Sequence, residues 1–366
     1  MFAGRLGGRS LLSAILATMP EPPSEKDRFR GCLVGQCLGD ALGMPVEGTS
    51  RTTCRRYVEE VVRPGRAPER GRGPLPFGQY TDDSQLAREL LESYALARRF
   101  DPVDYARRIA DIFAEGRIVG QGRATALAAH RLGQGAAWDE AATPPPAAGN
   151  GSAMRAGPVG LMAFGDPDRL VRIATDQGRI THADPRCSAG AVAIAGAVAM
   201  ALRTEPVDPA DFAETLADWA GRVEPALAGA LARLPQWVAM PDDEALPEIA
   251  VQGLQPARRD LYPNDRITPF VVPSVLWSLR AFLASPDDYL ATMATAIGCG
   301  GDVDTTAAMA GAVSGARLGL AALPEDLAGH LTDRGAWGLA DLVELADEAW
   351  TVARSRWAHR RCRNPG

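Results

Sequence analysis

Apolar residues recur at i, i+3 and i+4 through long stretches of this chain, at residues 84–99, 187–203, 209–233, 304–321 and 338–356. That spacing places them on one face of a helix. Alternating Val, Ile and Thr runs of strand type are nearly absent. The segment 269–277 (PFVVPSVLW) has a strand-like composition, but its prolines argue against a central strand and it reads as the lead into a helix. Three irregular stretches interrupt the pattern: 62–78 (rich in Pro, Gly and Arg), 142–151, and 241–268 with Pro241, Pro247, Pro256 and Pro263. No internal repeat and no shift of composition divides the chain. The expectation is one compact all-α helical bundle over residues 27–356, with an extension at 1–26 and a frayed tail at 357–366.

The extension carries Arg5 and Arg9 before a short apolar run, Leu11 to Met19, which weakly resembles a secretory signal. The run is short and no small-x-small cleavage site follows it. A start at Met19, just before the first convincing helix, is the preferred reading. No other segment approaches the ~20 apolar residues of a membrane helix.

Composition narrows the chemistry. A net charge of −6 gives no basic footprint for DNA or RNA. The six cysteines show no C-x-x-C pair, and Cys32, Cys37, Cys187 and Cys299 lie in apolar surroundings expected of buried thiols. A reducing cytoplasm is the simplest compartment. The four histidines form no H-E-x-x-H pattern, so a zincin has no support.

Two carboxylate clusters stand out. Thr81-Asp82-Asp83 opens a helix, where Thr81 suits the N-cap and the acids suit the dipole. Capping alone explains it, yet ionised carboxylates at a rigid helix end are also ready ligands for a hard cation. The second cluster is Asp302-Val303-Asp304-Thr305, after Gly300-Gly301 and between two alanine-rich helical stretches. Acids in so apolar a setting are costly to bury without a cation or donors, which favours metal ligation over simple capping. Glycines 31, 35, 39 and 43 make one stripe on an apolar helix and predict close helix packing, with Glu47 placed where that helix ends. Glycine-rich turns at Gly149-Asn150-Gly151-Ser152 and Gly120-Gln121-Gly122 could cradle phosphate, although neither is a Walker loop. His182 precedes another helix, a setting in which a cap or a core histidine is the commoner outcome.

Taken in order, GCLVGQCLGDALGMPVE, YTDDSQLA, GNGSAMRAGP, ITHADPRCSAGA and AIGCGGDVDTTAAMAGAVSGARLG resemble the ADP-ribosylglycohydrolase family, which includes the glycohydrolase that reactivates dinitrogenase reductase. The resemblance runs from about residue 27 to about 322. It implies a compact all-α domain with a binuclear metal site in a cleft, holding two Mg²⁺ or Mn²⁺ ions. By position, the resemblance assigns Thr81, Asp82, Asp83, Asp302, Asp304 and Thr305 as metal ligands, with Asp304 as the bridge. It makes Glu47 the general base or proton relay, with Asp82 or Asp83 as the alternative. Gly122, Asn150, Gly151, Ser152, Met154, His182 and Phe270 would line the ADP-ribose site. The sequence departs from the family where a tyrosine often lines the pocket: here Thr268-Pro269-Phe270-Val271 has no phenolic hydroxyl.

The implied activity is hydrolysis of the glycosidic bond between ADP-ribose and an acceptor, with arginine on a protein favoured by family analogy and serine or nucleic acid left open. The implied partner is an ADP-ribosylated protein or small conjugate, met by a monomer. Two alternatives are a binuclear hydrolase of another nucleotide-ribose ester, and a non-catalytic ADP-ribose-binding or crystallin-like structural protein. The intact acids argue against the latter.

Overall fold

The glycine stripe sets the centre of the molecule. A Cβ on Gly31 would lie 2.3 Å from the Gly315 carbonyl oxygen, one on Gly35 2.6 Å from that of Gly311, and one on Gly39 2.2 Å from that of Ala307. Two antiparallel helices therefore touch backbone to backbone, which only glycine at these positions permits. The closeness ends with Gly43 against Asp304, where a Cβ would sit 2.5 Å from the Asp304 Cα. The end of one central helix is thus fixed beside the start of the other, at the second expected acidic segment.

The computed structural model describes residues 23–363, apart from 69–70, 204, 256–258 and 260–262. Most of the extension expected at 1–26 lies outside the described residues. In chain order the helices are α1 (Glu25–Gly43), α2 (Arg51–Tyr57), α3 (Asp82–Ala97), α4 (Pro102–Ala114), α5 (Arg123–Gly133), α6 (Gly157–Met162), α7 (Pro167–Arg179), α8 (Pro185–Ala201) and α9 (Pro209–Gly221). There follow α10 (Pro225–Leu231), α11 (Leu234–Val238), α12 (Asp242–Ala250), α13 (Val271–Ala284), α14 (Tyr289–Gly298), α15 (Val303–Leu318), α16 (Glu325–Ala328) and α17 (Leu339–Arg363). The described residues contain no β-strand, only isolated bridges, so the all-α expectation holds. None of the described helices is long and apolar enough to cross a membrane.

Within the central pair, α15 packs against α8, whose residues are apolar on every side and almost all buried. The start of α3 is tied down from its own second turn. Arg88 is fully buried and donates to Asp333 at 2.7 Å, Glu89 at 3.0 Å and the Tyr80 hydroxyl at 3.0 Å. Removing one partner of such a buried pair costs about 3–5 kcal/mol.

Three expectations are corrected. The segment 209–233 is two helices: Glu224 precedes Pro225 and caps α10, its side chain accepting from the Ala226 N–H at 3.1 Å. The residue before a proline is disfavoured in helical geometry, which explains the break. The irregular stretch 241–268 contains α12 despite Pro247. Buried Arg280 fixes its start by donating to Asp242 at 2.8 Å and to the Met240 carbonyl at 2.7 Å, while Leu246 and Ile249 enter the core. Finally, α17 runs on to Arg363, so its backbone continues through most of the expected tail.

Candidate active site

Thr81 caps α3 as expected, its Oγ1 accepting from the Asp83 N–H at 3.4 Å, while the Asp82 N–H donates to the Val119 carbonyl at 2.7 Å. The turn is held by a residue that the sequence reading passed over. Asp40, fully buried in the last turn of α1, accepts from the Thr81 N–H at 3.0 and 3.1 Å, from the Thr81 hydroxyl at 3.0 Å and from the Ser84 N–H at 3.2 Å. It satisfies N–H groups that a helix start leaves unpaired. The signal was available: a carboxylate inside an apolar glycine stripe is too costly to leave without donors.

The second cluster is pinned by backbone. Gly300 and Gly301 have φ of +76° and +85°, and a Cβ on Gly301 would lie 2.0 Å from the Ile267 carbonyl oxygen. The Asp302 N–H donates to that same carbonyl at 3.0 Å, and the Gly48 N–H donates to the Gly301 carbonyl at 2.7 Å. Residues 48 and 267 thus clamp the glycine turn from two sides, and α15 begins with Asp304 and Thr305 in its first turn. The Thr305 N–H donates to Asp304 Oδ1 at 2.9 Å.

These constraints bring the clusters together. Carboxylate oxygens of Glu47, Asp302 and Asp304 lie within 4.8 Å of one another. Asp83 belongs to the same charged group. Burial, and then the charge of Asp304, push it up to about 7. Burial pushes Asp304 up to about 6. Asp40, Asp82 and Asp302 are also raised, each by burial first and by neighbouring carboxylates next. The Thr305 hydroxyl offsets part of the rise at Asp83 and Asp302. Asp83 Oδ1 is buried with no hydrogen-bond partner. Such an orphaned oxygen among crowded acids fits a cation, and the all-oxygen donor set fits a hard one. Arg72, from the loop after α2, forms an ion pair with Glu47 and is a second residue the sequence did not reveal.

The expected substrate residues divide. Asn150 and Gly122 serve the acids: Asn150 Nδ2 donates to Asp302 Oδ2 at 2.6 Å and to the Ser274 hydroxyl at 2.9 Å, and the Gly122 N–H donates to Asp82 Oδ2 at 3.2 Å. The N–H expected to meet a phosphate at Gly122 is therefore already engaged. Ser152 is fully buried and donates to the Cys187 carbonyl at 2.8 Å. Met154 is buried too, and its carbonyl accepts from Gln36 at 2.9 Å. Gly149, Gly151, His182 and Phe270 share one wall. Gly149 pairs with Phe270 in an isolated bridge, and a Cβ on Gly151 would lie 2.7 Å from His182 Cε1. The Arg186 guanidinium lies 5.4 Å from the centre of the Phe270 ring.

Known proteins resemble this chain over most of its length. The model of the family described as ADP-ribosylglycohydrolase matches residues 21–359. The chain is 32% identical over 309 residues to an uncharacterized protein of Archaeoglobus fulgidus, covering 84% of this chain and 93% of that one. It is 28% identical over 361 residues to ADP-ribosylhydrolase ARH3 of Gallus gallus, covering 88% and 92%. A solved structure described as an ADP-ribosylglycohydrolase-related protein complex superposes with a TM-score of 0.66 at 26% identity, covering 90% of this chain and 99% of the other. The all-α fold, the convergent acids and these matches together show that the chain belongs to the ADP-ribosylglycohydrolase family and is a glycohydrolase enzyme.

Proposed function

We propose that the protein hydrolyses the glycosidic bond between ADP-ribose and a modified acceptor, at a centre of two Mg²⁺ or Mn²⁺ ions held by Thr81, Asp82, Asp83, Asp302, Asp304 and Thr305. The observation that carries this reading is the convergence of Glu47, Asp83, Asp302 and Asp304 from separate segments, with Asp83 Oδ1 left unpartnered in the interior. Bound cations would polarise the ribose oxygens and a water. The chain's own groups do the rest. Asp40 and Asn150 orient Asp83's turn and Asp302. Gly149, Gly151, His182 and Phe270 line the ADP-ribose, which sets the position of the reacting C1. As the bond breaks, positive charge grows on the sugar, and Asp82 and Asp83 stabilise it. Glu47, half-exposed at the mouth, takes the proton of the attacking water once Arg72 releases it.

Arginine is the acceptor to test first. Family analogy favours it, and the acid-rich centre suits a cationic leaving group only once Arg72 has left Glu47. A panel of arginine-, serine- and nucleic-acid-linked ADP-ribose conjugates decides the linkage. Chelation should abolish ADP-ribose release, and Mg²⁺ or Mn²⁺ should restore it. Asp304→Asn should be inactive with an unchanged helical circular dichroism spectrum; undiminished turnover in that variant would refute the metal assignment. Release of phosphate in place of ADP-ribose would identify a phosphoesterase instead.

A further inference from the structure

Arg155 is fully buried in the turn before α6, far from the surface where arginines usually lie. Its Nε donates to Gln177 Oε1 at 2.9 Å, and its Nη2 donates to the Gln177 carbonyl and to Thr181 Oγ1, both at 2.8 Å. The guanidinium also lies 5.6 Å from the centre of the Tyr105 ring. Gln177 in turn donates to the Ser152 carbonyl at 3.0 Å, so the group is braced against the glycine-rich turn. Thr181 is fully buried as well, and its Oγ1 lies 2.8 Å from His182 Nδ1.

This chain of contacts has one direction. A guanidinium has only hydrogens to give, so Thr181 Oγ1 accepts from Arg155. The hydroxyl's single hydrogen then has one acceptor within reach among the described residues, His182 Nδ1. The reverse arrangement, with Nδ1–H donating to Thr181, would leave the threonine hydrogen buried and unpaired, at about 1–3 kcal/mol. Nδ1 is therefore the bare nitrogen and the ring hydrogen sits on Nε2. Nε2 has no hydrogen-bond partner among the described residues. It lies beside the glycine-rich turn: a Cβ on Gly151 would lie 3.3 Å from it, and one on Gly149 3.6 Å. Burial, and then the Arg155 charge, push the imidazole down to about 3, so the ring stays neutral.

We propose that Arg155 and Thr181 are positioning residues, a buried relay that locks His182 in the Nε2–H tautomer as a hydrogen-bond donor to an oxygen of the ADP-ribose lodged at Gly149–Gly151. The assignment of that ligand rests on the function proposed above. The relay itself can be tested without any ligand.

With four histidines in the chain, long-range ¹H–¹⁵N correlation of the histidine-labelled protein can resolve each ring, and His182→Gln identifies the signal of interest. The expected result for the free protein is a neutral ring with a pyridine-type Nδ1 and a pyrrole-type Nε2. Thr181→Ser should preserve that pattern. Thr181→Val should lose it and weaken ADP-ribose binding about ten-fold by calorimetry, the effect of one hydrogen bond. An Nδ1–H tautomer or a mixed ring in the wild type would overturn the relay, and needs no variant to fold. An unchanged ring in Thr181→Val would overturn it too, as would unchanged ADP-ribose affinity in that variant. If the wild-type ring is as stated yet ADP-ribose does not bind, the proposed ligand is what fails.

Discussion

In the metal-free protein Asp83 holds its proton to about pH 7 and Asp304 to about pH 6, because burial opposes their charge and, at Asp83, the Asp304 carboxylate adds to it. Both values lie above the unfolded-state 3.8. A raised carboxylate contributes stability below its unfolded pKa and loses it as pH climbs through the folded value. Over pH 5 to 8 the loss is on the order of 3 kcal/mol for Asp83 and 1 kcal/mol for Asp304, at ~1.4 kcal/mol per unit. A bound cation keeps both carboxylates ionised and removes this penalty. The stabilisation conferred by Mg²⁺ should therefore grow by at least about 4 kcal/mol between pH 5 and pH 8, since Asp82 and Asp302, also raised by burial, add to it in the same sense. With an unfolding entropy of ~2 cal/mol/K per residue, that is a rise of at least about 5 °C in the Tm difference between loaded and metal-free protein. Scanning calorimetry at unit pH steps, on protein dialysed free of metal and on protein saturated with it, measures that difference directly. His182, pushed down to about 3, acts in the opposite sense between pH 5 and 6.5 but cancels when the two forms are compared at one pH. Asp104, lowered to about 2 by Ser93 and arginine partners that outweigh its burial, titrates below the window. A metal-induced Tm difference that stays flat or shrinks from pH 5 to 8 would refute the reasoning.

Three further outcomes follow from the geometry. Gly311→Ala places a Cβ 2.3 Å from the Gly35 carbonyl oxygen, and should lower stability by about 2 kcal/mol or more, seen as a fall in Tm. Asp40→Asn keeps the volume but turns one acceptor into a donor facing the Thr81 and Ser84 N–H groups. Mg²⁺ affinity by titration calorimetry should fall about ten-fold or more, with the helical spectrum retained. Arg72→Ala removes a cation that competes for Glu47, so Mg²⁺ binding should tighten about two- to five-fold; weaker binding would show that Arg72 supports the site instead.

Local sequence settled a good deal here. Helix periodicity and caps are short-range matters of sterics and hydrogen bonding, so α3 with its Thr81 cap, α8 and α15 were legible without a structure. The glycine stripe announced close packing. Both acidic clusters were visible as types of residue in unusual surroundings. What the sequence could not determine is which charges meet. That depends on α1 and α15 approaching backbone to backbone, which carries Glu47 and Asp304 to one place and lets Asp40 reach across to Thr81. The same closure brings Asn150 to Asp302 and Gly122 to Asp82, contacts that their motifs did not announce. It also formed α12 in a proline-rich stretch, because Arg280 and core burial outweigh the local signal there. Local patterns specify elements; long-range backbone contact decides which polar groups are left to pair with one another, and therefore which carboxylates are left to hold a cation.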